Sequence, residues 1–193
     1  MSFRQRKEQQ RANLFDRHSA LNKGSTLLEI GTGDWLFASQ LQNRFGYQII
    51  GYDIQHLLSP HASISNYYVW DDTVLLKAIQ QHTPHALLIA YTLHHMTDVQ
   101  ILHLLSMLKA THLPIIILEE TFTHSKLIPA LNDIISNVLQ YGIHKLHHQA
   151  YFQLNFKKDP ERQQLFTDLW FTVNTLGKKK RYGYLPTIAY MLS

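Results

Sequence analysis

The sequence predicts an α/β fold in which a mainly parallel sheet carries helices on both faces. Short β-prone runs alternate with stretches of helical periodicity along most of the chain, which is the order that builds such a sheet. The runs over residues 86–91 and 114–119 are apolar except for Glu119 at the end of the second run, as expected of strands buried on both faces. Residues 26–44 read as a strand, a sharp glycine turn and a helix, the unit that opens many nucleotide-binding α/β folds.

The first half of the chain supplies most of these elements. A polar helix is expected over residues 3–21, followed by strands over 26–30, 48–53 and 66–70 and a helix over 35–44. Asp71 or Asp72 is expected to cap a helix that runs to about residue 81, and Thr97 or Asp98 to cap the helix after the 86–91 strand. Segment 54–65 has poor helical periodicity, so a helix there is expected to be short or missing.

The second half is less regular. Segment 121–158 is longer than a plain crossover needs, and apolar spacing predicts an amphipathic helix over 127–139. Asp159 and Pro160 read as an N-cap and a first-turn proline. They open a helix that is expected to run to Gly177, which suits a C-terminal cap. Two strands, 178–184 and 187–192, separated by Pro186, are expected to close the chain as an antiparallel hairpin.

Length and composition favour one globular domain. The chain has 193 residues, 45% hydrophobic and 17% charged, enough to bury a core. No apolar run is long enough for a membrane span, and the first residues lack the apolar core of a signal peptide. There is no cysteine, which excludes disulfides, a cysteine nucleophile and iron–sulfur ligation, and fits a cytoplasmic protein. The formal charge of +4 could help attract an anionic partner.

The residues that indicate a ligand-binding site lie in the glycine turn and at the end of the next strand. Gly31 and Gly33 permit backbone angles that a Cβ disfavours and let a ligand approach the main chain. Asp53 ends the next strand, about 20 residues on, where an acid meets ribose hydroxyls; otherwise it is a solvated acid at a strand end. Trp35 stands where a dinucleotide site usually has its third glycine, and no lysine follows as in a P-loop. Acids at Glu29 and Asp34 suit an ammonium or sulfonium better than two phosphates.

These residues resemble the first motif of class I S-adenosylmethionine (SAM)-dependent methyltransferases, acid-x-Gly-x-Gly-x-Gly, over residues 29–35, except that Trp35 replaces the last glycine. The likeness is clear over residues 24–120. It implies a Rossmann-like, doubly wound, seven-stranded sheet whose one antiparallel strand lies in the C-terminal hairpin. It implies SAM as cofactor, and a leading helix that often covers the SAM pocket. The alternative for that helix is a solvated leader that docks only by its C-terminal half.

The resemblance also implies roles for single residues. Asp53 would take the ribose hydroxyls, Tyr91 would line the methyl-donor side, and Asp71 or Asp72 would take the adenine amine or simply cap the helix. The residues expected to hold the cofactor are Glu29, Gly31, Thr32, Gly33, Asp53, Asp71, Asp72 and Tyr91. The expected arrangement is a single domain over residues 1–193. Its parts are an N-terminal helix (1–22), a SAM-binding half (24–120), a substrate-side insert (121–158) and a closing helix and hairpin (159–193).

A base is needed only if the methyl acceptor must lose a proton. His94 and His95 are the candidates, since imidazole titrates near neutral pH; alternatively one packs beneath the sheet and the other caps a helix. His148 and Tyr151 are weaker candidates. The segment after the fourth strand lacks the Asn/Asp-Pro-Pro-aromatic motif of many amino-group methyltransferases, which favours an oxygen or carbon acceptor on a small molecule.

Other functions remain open at this point. His144, His147 and His148 share one helix face, but no further ligand stands near them in sequence, so no metal is predicted. The basic run 178–181 allows an RNA acceptor, although a solvated charged face is the commoner explanation. Trp35 and the irregular 54–65 segment allow a non-catalytic protein of this fold that acts through a protein partner. A dinucleotide-dependent oxidoreductase is disfavoured by the missing third glycine. The sequence does not decide the oligomeric state.

Overall fold

The computed structural model describes residues 3–53, 67–69, 71–120, 158–169, 171–182 and 185–193. The helices are α1 (Phe3–His18), α2 (Leu36–Gln40), α3 (Asp72–His82), α4 (Asp98–Lys109) and α5 (Asp159–Asp168). The strands are β1 (Thr26–Ile30), β2 (Gln48–Asp53), β3 (Tyr67–Val69), β4 (Ala86–Ala90), β5 (Ile115–Glu120), β6 (Val173–Tyr182) and β7 (Leu185–Leu192). A π-helical turn, Leu41–Phe45, continues α2, and a 3-10 turn, Leu93–His95, follows β4.

The strands form one mixed sheet in the order β3-β2-β1-β4-β5-β7-β6. Strands β1 to β5 pair in parallel, whereas β7 runs antiparallel to both of its neighbours, β5 and β6. The expected α/β architecture and its closing antiparallel hairpin are therefore present. Because β1 to β5 are parallel, their carboxyl ends meet at one edge of the sheet, where ligands of open α/β sheets bind.

The core lies on both faces of the sheet. On one face, side chains of α3, α4 and α5 pack on alternate strand residues such as Leu28 and Ile89. On the other face, side chains of α1 and α2 pack on the intervening residues, such as Leu27 and Leu88. Strand residues therefore alternate between two apolar layers, which explains why β1, β4 and β5 are apolar almost throughout. No helix in the described ranges has the length and hydropathy that crossing a membrane would require.

The predicted helix from Asp159 to Gly177 is wrong in its second half. Helix α5 ends at Asp168, and Gly177 lies inside β6 beside a register irregularity instead of capping a helix. The stretch 171–175 contains β-branched and aromatic residues that favour a strand. Backbone bonds between Thr172 and Ser193, at 3.0 and 3.2 Å, fix its pairing with the end of the chain. Strand β6 therefore begins at Val173, five residues earlier than expected.

Other boundaries differ by less. The helix expected over 35–44 is split into α2 and the π-helical turn, which ends at Gly46 with a φ of 75°. The third strand is described over Tyr67–Val69. Segment 54–65, the helix expected over 127–139, and the candidates His144, His147, His148 and Tyr151 lie outside the described residues.

Candidate cofactor site

The glycine turn between β1 and α2 is bound to the end of β2. The backbone N–H groups of Gly31 and Thr32 both donate to the carbonyl oxygen of Tyr52, at 2.7 and 3.2 Å. The hydroxyl of Thr32 donates to the carbonyl oxygen of Glu29 at 3.1 Å. Gly31 and Gly33 have φ angles of 78° and 61°, the left-handed region that glycine enters without strain. The turn is thus a fixed backbone surface at the carboxyl edge of the sheet.

Asp53 closes this turn. Its Oδ2 accepts a hydrogen bond from the backbone N–H of Gly33 at 2.7 Å, and its side chain is nearly buried. The structure therefore brings together the strand-end acid and the glycine turn, as the spacing suggested. The ribose contact itself stays a prediction.

Thr92, which the sequence analysis did not single out, joins β4 to the same turn. Its Oγ1 lies 3.0 Å from the carbonyl oxygen of Ala90 and 3.3 Å from those of Ile30 and Gly31. A Cβ on Gly31 would lie 2.8 Å from Thr92 Cβ and closer still to its Oγ1 and Cγ2. Gly31 is thus required by close packing as well as by its φ angle. The available signal was a small hydroxyl residue directly after a buried strand.

Trp35, at the position of the motif's last glycine, has a left-handed backbone. Its φ of 70° is left-handed, which is uncommon for a residue with a Cβ. Its indole is buried in the core cluster of α1 and α2, with Nε1 donating to Gln42 Oε1 at 3.2 Å. A Cβ on Gly51 would collide with Trp35 Cζ3 and lie 2.6 Å from Thr32 Oγ1. The bare backbone of β2 at Gly51 thus makes room for the indole.

Tyr91 lies at the end of β4 and is in contact with α1 and α2. Its φ is 56°, and strained backbone of this kind often occurs at functional sites. The Arg11 guanidinium lies 3.4 Å from the centroid of its ring, and Phe37 packs edge-on with ring centroids 6.3 Å apart. Arg11 therefore docks the middle of α1 on the residue that follows β4, and the burial of Glu8, nearer the N-terminus, shows that α1 docks by more than its C-terminal half.

The acids around the turn are buried. Glu29 is 1% exposed and Glu8 of α1 is 6% exposed; Glu8 Oε1 accepts from Arg11 Nη1 at 2.7 Å. Burial raises the pKa of Glu29 well above its ordinary value, and the nearby charges of Glu8, Asp53 and Asp34 raise it further. Sequence reasoning missed Glu8 and Arg11, because their helix has weak amphipathic patterning.

Asp71 and Asp72 have partners within the protein. Asp71 Oδ1 accepts from the backbone N–H of Val74 at 2.8 Å and is the N-cap of α3. Asp72 Oδ2 lies 2.7 Å from Nε2 of His103 on α4. The capping alternative is therefore correct for Asp71. A contact of either acid with adenine stays a prediction.

His94 and His95 have different surroundings. His94 is buried, with its Nδ1 2.7 Å from Oε1 of Glu119, which has no exposed surface. His95 is exposed, and its ring centroid lies 4.1 Å from that of His94. Neither caps α4, whose N-cap is Thr97 in a capping box with Gln100. Within the described ranges, no three His, Cys, Asp or Glu side chains are grouped as a metal site.

The fold is that of known methyltransferases. No protein-family model and no curated protein matches the chain in sequence. Among solved structures it is similar to a cyclopropane-fatty-acyl-phospholipid synthase-like protein from Lactobacillus casei ATCC 334. The TM-score is 0.66 at 11% identity, over 98% of this chain and 91% of that one. It is also similar to magnesium protoporphyrin IX methyltransferase from Synechocystis PCC 6803 with bound S-adenosylhomocysteine (SAH). There the TM-score is 0.59 at 13% identity, over 99% and 84%.

A third similar structure comes from proteins of a different description. It is described as putative Zn-dependent alcohol dehydrogenases from Rhodobacter sphaeroides, with a TM-score of 0.60 at 12% identity, over 93% of this chain and 88% of that one. At such low identities the likeness establishes the fold alone. The chain therefore shares its α/β fold with these structures, which include a methyltransferase.

Proposed function

We propose that this chain is a SAM-dependent methyltransferase that acts on an oxygen or carbon atom of a small-molecule acceptor. The proposal rests on the glycine turn, in which the backbone N–H of Gly33 donates a hydrogen bond to Asp53. Glu29, two residues before Gly31, is buried next to this turn. Glu29 Oε2 has no hydrogen-bond partner in the described part of the protein. A buried acceptor of this kind calls for a donor, and SAM carries both an ammonium and a sulfonium.

The residues present fit such a cofactor. Gly31, Thr32 and Gly33 offer a backbone surface to the methionine portion, and Asp53 offers carboxylate oxygens to the ribose. Tyr91, directly after β4, is proposed to line the methyl-donor side. SAM supplies an activated methyl group when it is bound, so positioning of the acceptor can provide much of the catalysis. The proposed protein is a single domain over residues 1–193 with the seven-stranded sheet of this family, in which residues 121–158 form much of the acceptor pocket.

His94 is the proposed base where the acceptor must lose a proton. When Glu119 accepts a hydrogen bond from Nδ1–H of His94, Nε2 is the ring nitrogen that would take the acceptor proton. The buried pair fixes the ring orientation, as a base requires. His95, which is exposed and packs on His94, is the second candidate.

The proposed acceptor is a small molecule, and the proposed compartment is the cytoplasm. Nucleic acid is the alternative acceptor, and strongly salt-sensitive RNA binding would favour it. A non-catalytic protein of this fold is the other alternative. The burial of the Trp35 indole argues against a non-catalytic protein, because the indole packs in the core cluster of α1 and α2 and does not need to fill the cofactor site.

Calorimetric titration with SAM, SAH and NAD tests the proposal. We expect SAM and SAH to bind and NAD not to bind. Asp53→Asn should weaken SAH binding about 10-fold or more, because the amide can still accept from Gly33 but loses the charge that favours the ribose hydroxyls. Asp168→Asn, at an exposed position on α5, is the matched control and should bind as the wild type does. Binding of NAD without SAM or SAH would contradict the proposal.

A further inference from the structure

Two carboxylates at the carboxyl edge of the sheet are buried together with an unsatisfied oxygen each. Glu8 of α1 and Glu29 of β1 are both more than nine-tenths buried. Oε2 of each has no hydrogen-bond partner in the described part of the chain. A buried carboxylate oxygen without a donor costs free energy of folding, so a pair of them indicates that a donor arrives with a ligand.

We propose that Glu8 and Glu29 together form a subsite for a primary ammonium group, namely the amino group of the cofactor's methionine portion. This inference rests on the proposed function and adds to it a residue of α1, outside the glycine motif. It assigns to α1 a direct role in binding the cofactor instead of a covering role alone.

The packing places both acids on one side of the sheet. Glu29 alternates with Leu28 and Ile30 and shares the face of Leu27, the face on which Ala12 of α1 packs. Glu8 lies one helical turn before Ala12, so its side chain is on the same side of α1. Among the charges that raise the pKa of Glu29, that of Glu8 has the largest effect. Both carboxylates therefore lie on the side of the sheet that α1 covers, close enough for their charges to interact.

Arg11 holds Glu8 in this position. Arg11 Nη1 lies 2.7 Å from Glu8 Oε1, which leaves Oε2 directed elsewhere. The same guanidinium lies over the ring of Tyr91 at 3.4 Å from its centroid, a cation–π contact. Helix α1 is thus fixed to the end of β4 by the residue that also orients Glu8, and the subsite is formed before a ligand arrives.

The charges around Glu29 favour an added cation. The charges that act on Glu29 are those of Glu8 from α1, Asp53 from β2 and Asp34 from the turn, whereas Arg11 lies over the ring of Tyr91 and pairs with Glu8. Burial and the three surrounding acids raise the pKa of Glu29. An ammonium placed between Glu8 and Glu29 would favour the ionised form of Glu29, so binding should release a proton into solution.

The test compares two ligands on matched variants. SAH carries the ammonium, whereas 5′-methylthioadenosine carries the nucleoside and a thioether without it. We expect Glu8→Gln to raise the dissociation constant of SAH about 10-fold and that of 5′-methylthioadenosine, measured by competition, less than about 2-fold. Glu161→Gln, an exposed position on α5 whose side chain can still accept the capping N–H of Lys158, should change neither.

A second measurement needs no variant. Titration of the wild type with SAH in buffers of different ionisation enthalpy, between pH 5 and 8, should show proton release. Unchanged SAH affinity in Glu8→Gln, an equal loss for both ligands, or binding without proton release would overturn the subsite. Failure of the wild type to bind SAH and SAM at all would instead contradict the proposed function, so the two failures are distinguishable.

Discussion

At the scale of single residues, Gly31 is the point where β1, the glycine turn and β4 meet. Gly31→Ala should lower the free energy of unfolding by about 3 kcal/mol or more. A left-handed alanine costs about 1–2 kcal/mol, and its Cβ would also collide with the Thr92 side chain. Urea denaturation measures the loss. Gly46→Ala is the control, because Gly46 has a similar φ of 75° but no neighbouring atom within 4 Å of an added Cβ. Equal losses would show that Thr92 does not restrict this position.

Glu29 should make stability depend on pH. Its pKa is raised in the folded protein, so folding retains a proton that the unfolded chain loses near its ordinary pKa of about 4.3. This contribution to stability is complete below that pH and is lost as the pH rises through the folded pKa. Glu29→Gln should therefore be more stable than the wild type at pH 8, and the difference should vanish towards pH 4. Denaturation at both pH values checks the sign, with Glu161→Gln as control. A variant that is less stable at pH 8 than at pH 4, relative to the wild type, would contradict it.

At the scale of elements, the β1–turn–α2 unit was predictable from sequence because glycine, β-branched and apolar positions act locally there. The burial of the Trp35 indole could not be predicted from the motif. It depends on Gly51 in the next strand, 16 positions away. The indole fits only where β2 lacks a Cβ. Such a pair is visible once β1 and β2 are placed in register, with Glu29 opposite Gly51.

Contacts between residues distant in sequence also explain why features of α1 and the start of β6 were not predicted. Helix α1 has too few apolar residues for its periodicity to show which face is buried, so the burial of Glu8 and the Arg11–Tyr91 contact could not be read from it. The start of β6 was misplaced because pairing with β7, a long-range contact, decides the structure of residues 173–177. The position of Asp53 beside the glycine turn was predictable, because parallel strands bring their carboxyl ends to one edge.

Helix α3 provides a test that separates capping from binding. Asp71→Ala should lower the free energy of unfolding by about 1 kcal/mol, because Val74 N–H loses its cap acceptor. Asp71→Asn should retain stability, since asparagine caps equally well. If Asp71 only caps the helix, SAH affinity should be unchanged in the asparagine variant. Thermal denaturation and calorimetry of both variants distinguish the roles. A loss of affinity in Asp71→Asn at unchanged stability would assign Asp71 to adenine recognition.

At the scale of the whole molecule, the groups that carry the proposal come from distant parts of the chain. Glu8 and Arg11 belong to α1, Glu29 and Gly31 to the region of β1, and Asp53 to β2. They meet because β1 to β5 run in the same direction and α1 packs near their carboxyl ends. Ligand binding should therefore change protection along α1 and the turn together, although these segments are separated in sequence.

Hydrogen exchange with and without saturating SAH measures this coupling. In the free protein, amides of β1 and β4, which are flanked by strands on both sides, should exchange most slowly, and those of the short outer strand β3 faster. With SAH, protection should rise over residues 31–35 and also over residues 8–15 of α1, because the ligand ammonium would bind Glu8 as well as Glu29. The rise in α1 should shrink in Glu8→Gln while that in the turn persists. Protection that rises only in the turn of the wild type would mean that α1 packs beside the cofactor site without contributing to it.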